Sequence, residues 1–140
     1  MTVTGRGGID LHEQWQGDAR AYPRITVPGF PNLFCLYGPN TNLVVTGSII
    51  YMAECAAEYV MECLRTLLAA GHRAMDTRRD AYDDFAETVD QENRSKAWGA
   101  SRVGSWYKNT HGRVTQNWPF PLLTYWQLTR EPDPAAVDLL

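Results

Sequence analysis

The run Leu33 to Tyr37 (LFCLY) is nearly all apolar and is bounded by Pro28-Gly29, Pro31-Asn32 and Gly38-Pro39-Asn40. It predicts a short strand buried on both faces, ended by a glycine that bends freely and a proline that cannot continue a central strand. Further on, the apolar positions switch to a helical period. Ile49, Met52, Ala53, Ala56, Val60, Cys63, Leu64 and Leu67 share one stripe, while Glu54, Glu58, Glu62 and Arg65 share the opposite face. Ser48 reads as the N-cap and Gly71 as the residue just past the end, so this helix covers roughly 48–70.

A second, more polar helix is predicted over 79–97, with Ala81, Tyr82, Phe85, Val89 and Trp98 on or near its packing face. Asp80, Asp83 and Asp84 cluster in its first turn, where the helix dipole favours acids and a solvated face explains them. Residues 72–77 read as an extended segment, 103–108 as a short strand and 122–130 as a short helix entered through Pro119 and Pro121. The first residues carry neither period. Gly5, Gly7 and Gly8 predict a flexible start anchored by Ile9, Leu11 and Trp15, and EPDPAAVDLL predicts a loose tail. The expected fold class is α+β (mixed): two main helices, few short strands and a loop-rich C-terminal part, short of a complete doubly wound sheet. Residues 1–140 read as a single incomplete domain with a lid-like loop at 98–118 and a tail at 119–140.

Composition changes this picture little. Of 140 residues, 44% are hydrophobic and 21% charged, which suits a globular chain. The net charge of −3 and the lack of a basic block argue against nucleic acid and anionic membrane surfaces as partners. The long helix carries a charge every turn, unlike a membrane span, and Met1 to Asp10 has no apolar signal-peptide core. A cytoplasmic location is expected. Cys55 and Cys63 lie two turns apart on one helix, too far for a disulfide, so with Cys35 they read as reduced thiols packed as small hydrophobes. His12, His72 and His111 are scattered singly, and no spacing suggests a metal.

Candidate chemistry lies where the apolar run meets the long helix. A helix start aimed at that loop favours an electron-rich or anionic group, although an ordinary strand-to-helix connection has the same pattern.

The run PGFPNLFCLYGPNTNLVVTGSIIYMAE resembles the C-terminal part of the flavin-binding domain of Baeyer–Villiger monooxygenases, in particular their hydroxyacetophenone monooxygenase branch. The resemblance implies that Gly38, Pro39, Asn40, Thr41, Asn42 and Leu43 lie against the FAD ring, mostly through backbone. It also implies that the helix start at 47–50 stabilises the negative charge a reduced flavin gathers near N1 and its C2 carbonyl. Ser105-Trp106-Tyr107 and the following KNTHGR resemble the family's mobile loop, whose tryptophan contacts NADP. Trp106 inherits that role by position, with Lys108, Asn109 and Arg113 bordering the same pocket. WPFPLLTYWQLTREPDPA carries the likeness to nearly the whole chain, while Trp15 and Tyr22 match a family segment but read as core residues.

The chain departs from the family pattern in three ways. It has no G-x-G-x-x-G between a strand and a helix, no FxGxxxHxxxWP fingerprint, and no arginine in the motif position of the family's catalytic one; Arg6 is out of order. No catalytic residue is therefore assigned. The implied function is the C-terminal portion of an FAD- and NADPH-dependent monooxygenase that oxidises ketones, aromatic ones in this branch, to esters with O2. Alone it is expected to be inactive, completed by a missing N-terminal flavoprotein portion. The alternative is a non-catalytic remnant acting as a structural, self-associating or small-ligand-binding module, a homo-oligomer that exchanges its long helix or its tail.

Overall fold

The computed structural model describes residues 1–45, 47–102 and 104–140. Its elements in order are the short helix α1 (Leu11–Trp15), the long helix α2 (Ile49–Ala70), strand β1 (Met75–Thr77), helix α3 (Arg79–Ser95), helix α4 (Leu122–Leu128) and strand β2 (Val137–Leu139), with single 3-10 turns at Arg6–Gly8 and Ala97–Gly99. β1 and β2 pair antiparallel, Met75 opposite Leu139 and Thr77 opposite Val137. The class is mixed helix and small sheet, with two dominant helices.

The ends of α2 follow local chemistry. Ser48 accepts a hydrogen bond from the Tyr51 amide, and Gly71 takes the left-handed conformation (φ 70°), its N–H reaching the Leu67 and Leu68 carbonyls. α2 also links two of the three core clusters. Ala56, Tyr59, Cys63 and Leu67 pack with Ile25, Met75 and Val137, whereas Met52 and Cys55 pack with Trp118 and Tyr125. A third cluster of Leu11, Ala21, Val27 and Phe30 lies under the N-terminal segment.

Several expectations are corrected. The buried stripe of α2 runs through Met52, Cys55, Ala56, Tyr59, Cys63 and Leu67, while Ile49 and Leu64 are 51% and 42% exposed. α2 carries two apolar stripes, and the one that runs through Ile50, Met61, Leu64 and Leu68 faces solvent. Leu33 to Tyr37 forms no strand. Its one ladder-like bond is Cys35 N–H to the Ile25 carbonyl (2.6 Å), no described strand lies beside it, and Leu36 and Tyr37 are exposed. An apolar run of this kind needs neighbours on both sides to become a central strand.

On α3 the packing face is Tyr82, Ala86, Val89, Asp90 and Asn93, with Ala81 and Phe85 half-buried at its margin. The 103–108 segment holds turns and a single bridge between Lys108 and Val114, and Val103 lies outside the described residues. The tail is not loose, because β2 closes onto β1. Nor is the start free: a side chain at Gly5 would meet the Gly29 carbonyl at 2.5 Å, although Ile9 is exposed and only Leu11 is a buried anchor.

Candidate functional site

The loop after Tyr37 is fixed from behind. A Cβ on Gly38 would lie 2.4 Å from the Arg24 carbonyl oxygen and 3.0 Å from that of Cys35, so only glycine fits. Tyr37 (φ 52°) and Asn40 (φ 57°) take the left-handed turns that fold the loop back. Segment 115–118 then clasps it. Asn40 N–H donates to the Thr115 carbonyl (2.9 Å), Asn42 N–H to that of Gln116 (2.8 Å), and Trp118 N–H to that of Asn42 (2.9 Å).

Between these segments runs an open groove of about 740 Å³. Gly38, Pro39, Thr41 and Asn42 line it, Thr115 and Gln116 continue the wall, and Trp106, Trp15 and Tyr37 add aromatic surface. The loop's polar side chains turn onto the protein: Thr41 Oγ1 donates to the Gly38 carbonyl (2.6 Å) and Asn42 Nδ2 to Asn117 Oδ1 (2.9 Å). Trp106 is 72% exposed and tilts against the Tyr107 ring at 4.3 Å.

Asn40 lies beneath the groove, 1% exposed. Its Nδ2 donates to the carbonyls of Val114 (2.7 Å) and Asn117 (3.2 Å), and its Oδ1 accepts from Arg24 Nη1 (3.2 Å) and Arg113 Nη2 (3.3 Å). Arg113 also clamps both Asp90 carboxylate oxygens through Nε (2.8 and 2.9 Å) and reaches Asp18 Oδ1 (3.2 Å) and the Ala19 carbonyl (3.1 Å) through Nη1. Burial alone raises the Asp18 carboxyl, but the charges and hydrogen bonds of Arg113 and Arg20 outweigh it and hold its pKa below the usual value. Arg24 differs: burial first, and the Arg113 charge second, depress its pKa to about 9.

The sequence-predicted residues divide accordingly. Gly38, Pro39, Thr41, Asn42 and Trp106 share one groove, while Asn40 braces it from below. Leu43 lines a separate hollow with Val44 and Trp118, and the helix start at 47–50 stands off the groove with Ile49 and Ile50 exposed. Arg113 and Asn109 join the Asp18 network instead of the groove wall, and Lys108 Nζ donates to the Ala100 carbonyl (2.6 Å). Trp15, Tyr37, Thr115 and Gln116 were not foreseen as lining residues. Trp15 was read as a core residue, and its half-buried ring does pack on the N-terminal cluster while lining the groove; Thr115 and Gln116 gave no signal. Among the described residues no His, Cys, Asp and Glu cluster could hold a metal, and no helix is long and apolar enough to cross a membrane.

No protein-family model matches the chain. It is 34% identical over 134 residues to the uncharacterized monooxygenase y4iD of Sinorhizobium fredii, covering 95% of this chain and 20% of the relative. It is also 34% identical over 139 residues to a Baeyer-Villiger monooxygenase of Streptomyces coelicolor, covering 99% and 27%. Among solved structures, an oxidized steroid monooxygenase bound to NADP superposes with a TM-score of 0.84 at 24% identity, over 99% of this chain and 26% of the other. A cyclohexanone monooxygenase from Rhodococcus sp. Phi1 bound to NADP+ does so with a TM-score of 0.76 at 21% identity, over 92% and 24%. The chain thus spans about a fifth to a quarter of the length of the relatives it matches. In sequence and in fold it matches one segment of proteins named as FAD-binding or Baeyer–Villiger monooxygenases.

Proposed function

We propose that the groove between loop 38–42 and Trp106 receives the ring of FAD, and that the chain contributes this wall to an NADPH-dependent monooxygenase that converts a ketone to an ester with O2. The observation that supports it is the meeting of Gly38, Pro39, Thr41 and Asn42 with Trp106 along one groove. The residues suit a flat ring. Gly38 presents no side chain, Thr41 and Asn42 turn their polar groups onto the protein, and Trp106, Trp15 and Tyr37 offer aromatic faces. Bound FAD would supply the redox chemistry. This chain's residues bind, orient and cover it, with Trp106 placed for the nicotinamide cofactor. The aromatic ketone substrate rests on the resemblance of GPNTNLVVTGSII to the hydroxyacetophenone branch.

The test is titration of the purified chain with FAD, read by flavin fluorescence. A ring of about 18 non-hydrogen atoms at roughly 0.3 kcal/mol each gains about 5 kcal/mol, a Kd near 200 µM. Trp106→Ala should weaken binding several-fold, yet its exposed position predicts a stability change within about 0.5 kcal/mol. No saturable signal, or one indifferent to Trp106, overturns the flavin reading.

A second reading, a self-associating module, is favoured by the exposed stripe of Ile50, Met61, Leu64 and Leu68 on α2. In the enzyme reading a flavoprotein portion covers this stripe, and in the second reading another copy does. Sedimentation of the chain at micromolar concentration decides: a dimer that Leu64→Glu converts to monomer supports the second copy, and a stable monomer removes it.

A further inference from the structure

Arg24 combines three costs at one position. It is a non-glycine residue at φ 82°, where an L side chain is strained. Its side chain is 0% exposed. Of its guanidinium nitrogens only Nη1 finds a hydrogen-bond acceptor among the described residues, Asn40 Oδ1, while Nε and Nη2 are buried without one there. The rings of Phe85 (4.8 Å) and Trp118 (5.7 Å) flank the cation but supply no counter-charge.

The surrounding charges do not cancel it. Asp18 and Asp90 are shared between Arg20 and Arg113: Arg20 lies 2.8 Å from Asp18 and 3.6 Å from Asp90, and Arg113 is 3.2 Å and 2.8 Å from the same two. Two carboxylates therefore meet two guanidiniums, and Arg24 is the surplus charge. It stands one residue behind the groove, because it bonds Asn40, whose neighbours Pro39 and Thr41 line the wall. A charge in a low-dielectric wall is felt in the cleft it faces.

We propose that Arg24 is a specificity-determining residue that makes the groove prefer flat aromatic ligands carrying negative charge over neutral ones of the same shape. This rests on the reading of the groove as a ring site, and it names the charge of the ring it favours. Arg24 touches no ligand; it acts through the field behind Asn40.

The experiment compares two dyes with one skeleton, anionic 8-anilinonaphthalene-1-sulfonate and neutral N-phenyl-1-naphthylamine. Fluorescence titrations use wild type, Arg24→Met and Arg24→Gln, and the groove's share of the signal is the part lost in Trp106→Ala. Wild type should favour the anion by roughly tenfold or more, the scale of one charge acting about 10 Å away at an effective dielectric near 20. Both neutral variants should lose that preference and keep their affinity for the neutral dye. A collapsed groove would weaken both dyes together, which would make Arg24 structural and overturn the proposal. So would an unchanged ratio, or failure of either dye to bind. Failure of FAD alone, with the dye preference intact and dependent on Arg24, would remove the flavin reading and leave this one standing.

Discussion

Arg113 Nη2 donates to Asn40 Oδ1 at 3.3 Å, and this contact joins the loop under the groove to the segment that follows Trp106. The same guanidinium holds Asp90 on α3 and Asp18 in the N-terminal segment, so four separate stretches of chain meet at one side chain. The groove's shape thus depends on a network that lies behind it.

Arg113→Ala leaves Asp90, with 8% of its side chain exposed, without its bidentate partner. Breaking a buried pair from one side costs about 3–5 kcal/mol, and Tm should fall by roughly 10 °C or more. Arg113→Lys should recover only part of this, because a point charge cannot reach Asp90, Asp18, the Ala19 carbonyl and Asn40 together. Calorimetry of the three proteins checks the order.

The depressed Asp18 pKa predicts acid sensitivity of definite sign. The folded carboxyl holds its proton less tightly than the unfolded one, so its contribution is full above the unfolded value near 4 and is lost as pH falls below it. Asp18→Asn should therefore be less stable than wild type at pH 6, and the gap should close towards pH 2–3. Urea midpoints across that range measure it; a gap that stays constant would mean that Arg113 and Arg20 do not hold the charge.

Helix α2 was legible because its ends are local chemistry: Ser48 and Gly71 cap it where the apolar period starts and stops. Which of its two apolar stripes is buried was not legible, since Leu64 and Leu67 look alike until Trp118, Ile25 and Val137 choose a side. The run 33–37 has a strand's composition, but hydrogen-bonded neighbours make a strand, and composition does not reveal them. Gly38 to Asn42 and Trp106 were paired by resemblance, as no spacing rule brings residues so far apart into one groove. Arg24 left no mark at all. It stands between Pro23 and Ile25 with nothing in the sequence to single it out, and its burial follows from Phe85 and Trp118, which are distant in sequence.

Gly38→Ala tests how closely the loop is seated. The new methyl group would fall 2.4 Å from one backbone oxygen and 3.0 Å from another, and neither can swing aside as a side-chain tip can. Relief requires the loop to shift, at a cost of about 1–3 kcal/mol. Affinity for a ring in the groove should fall along with stability, in contrast to Trp106→Ala, where affinity alone should fall. Parallel titration and thermal unfolding of the two variants separate these behaviours.

Arg24→Met should stabilise the fold at pH 7. Methionine keeps much of the apolar stem between Phe85 and Trp118 and removes a buried cation with two guanidinium nitrogens unpaired among the described residues. Arg24→Gly would also relieve the strain at φ 82°, worth about 1–3 kcal/mol, but it opens a cavity whose cost offsets that gain. The pH dependence distinguishes charge from packing. With a folded pKa of about 9, well below that of a free guanidinium, both states hold the proton below pH 9 and the burial penalty stands in full. Above pH 9 the folded state sheds the proton first, so wild type gains stability relative to Arg24→Met and the gap narrows. Urea midpoints of the pair at pH 7 and pH 10 carry the test. A methionine variant less stable than wild type at pH 7 would show that the two ring contacts outweigh the burial of the charge.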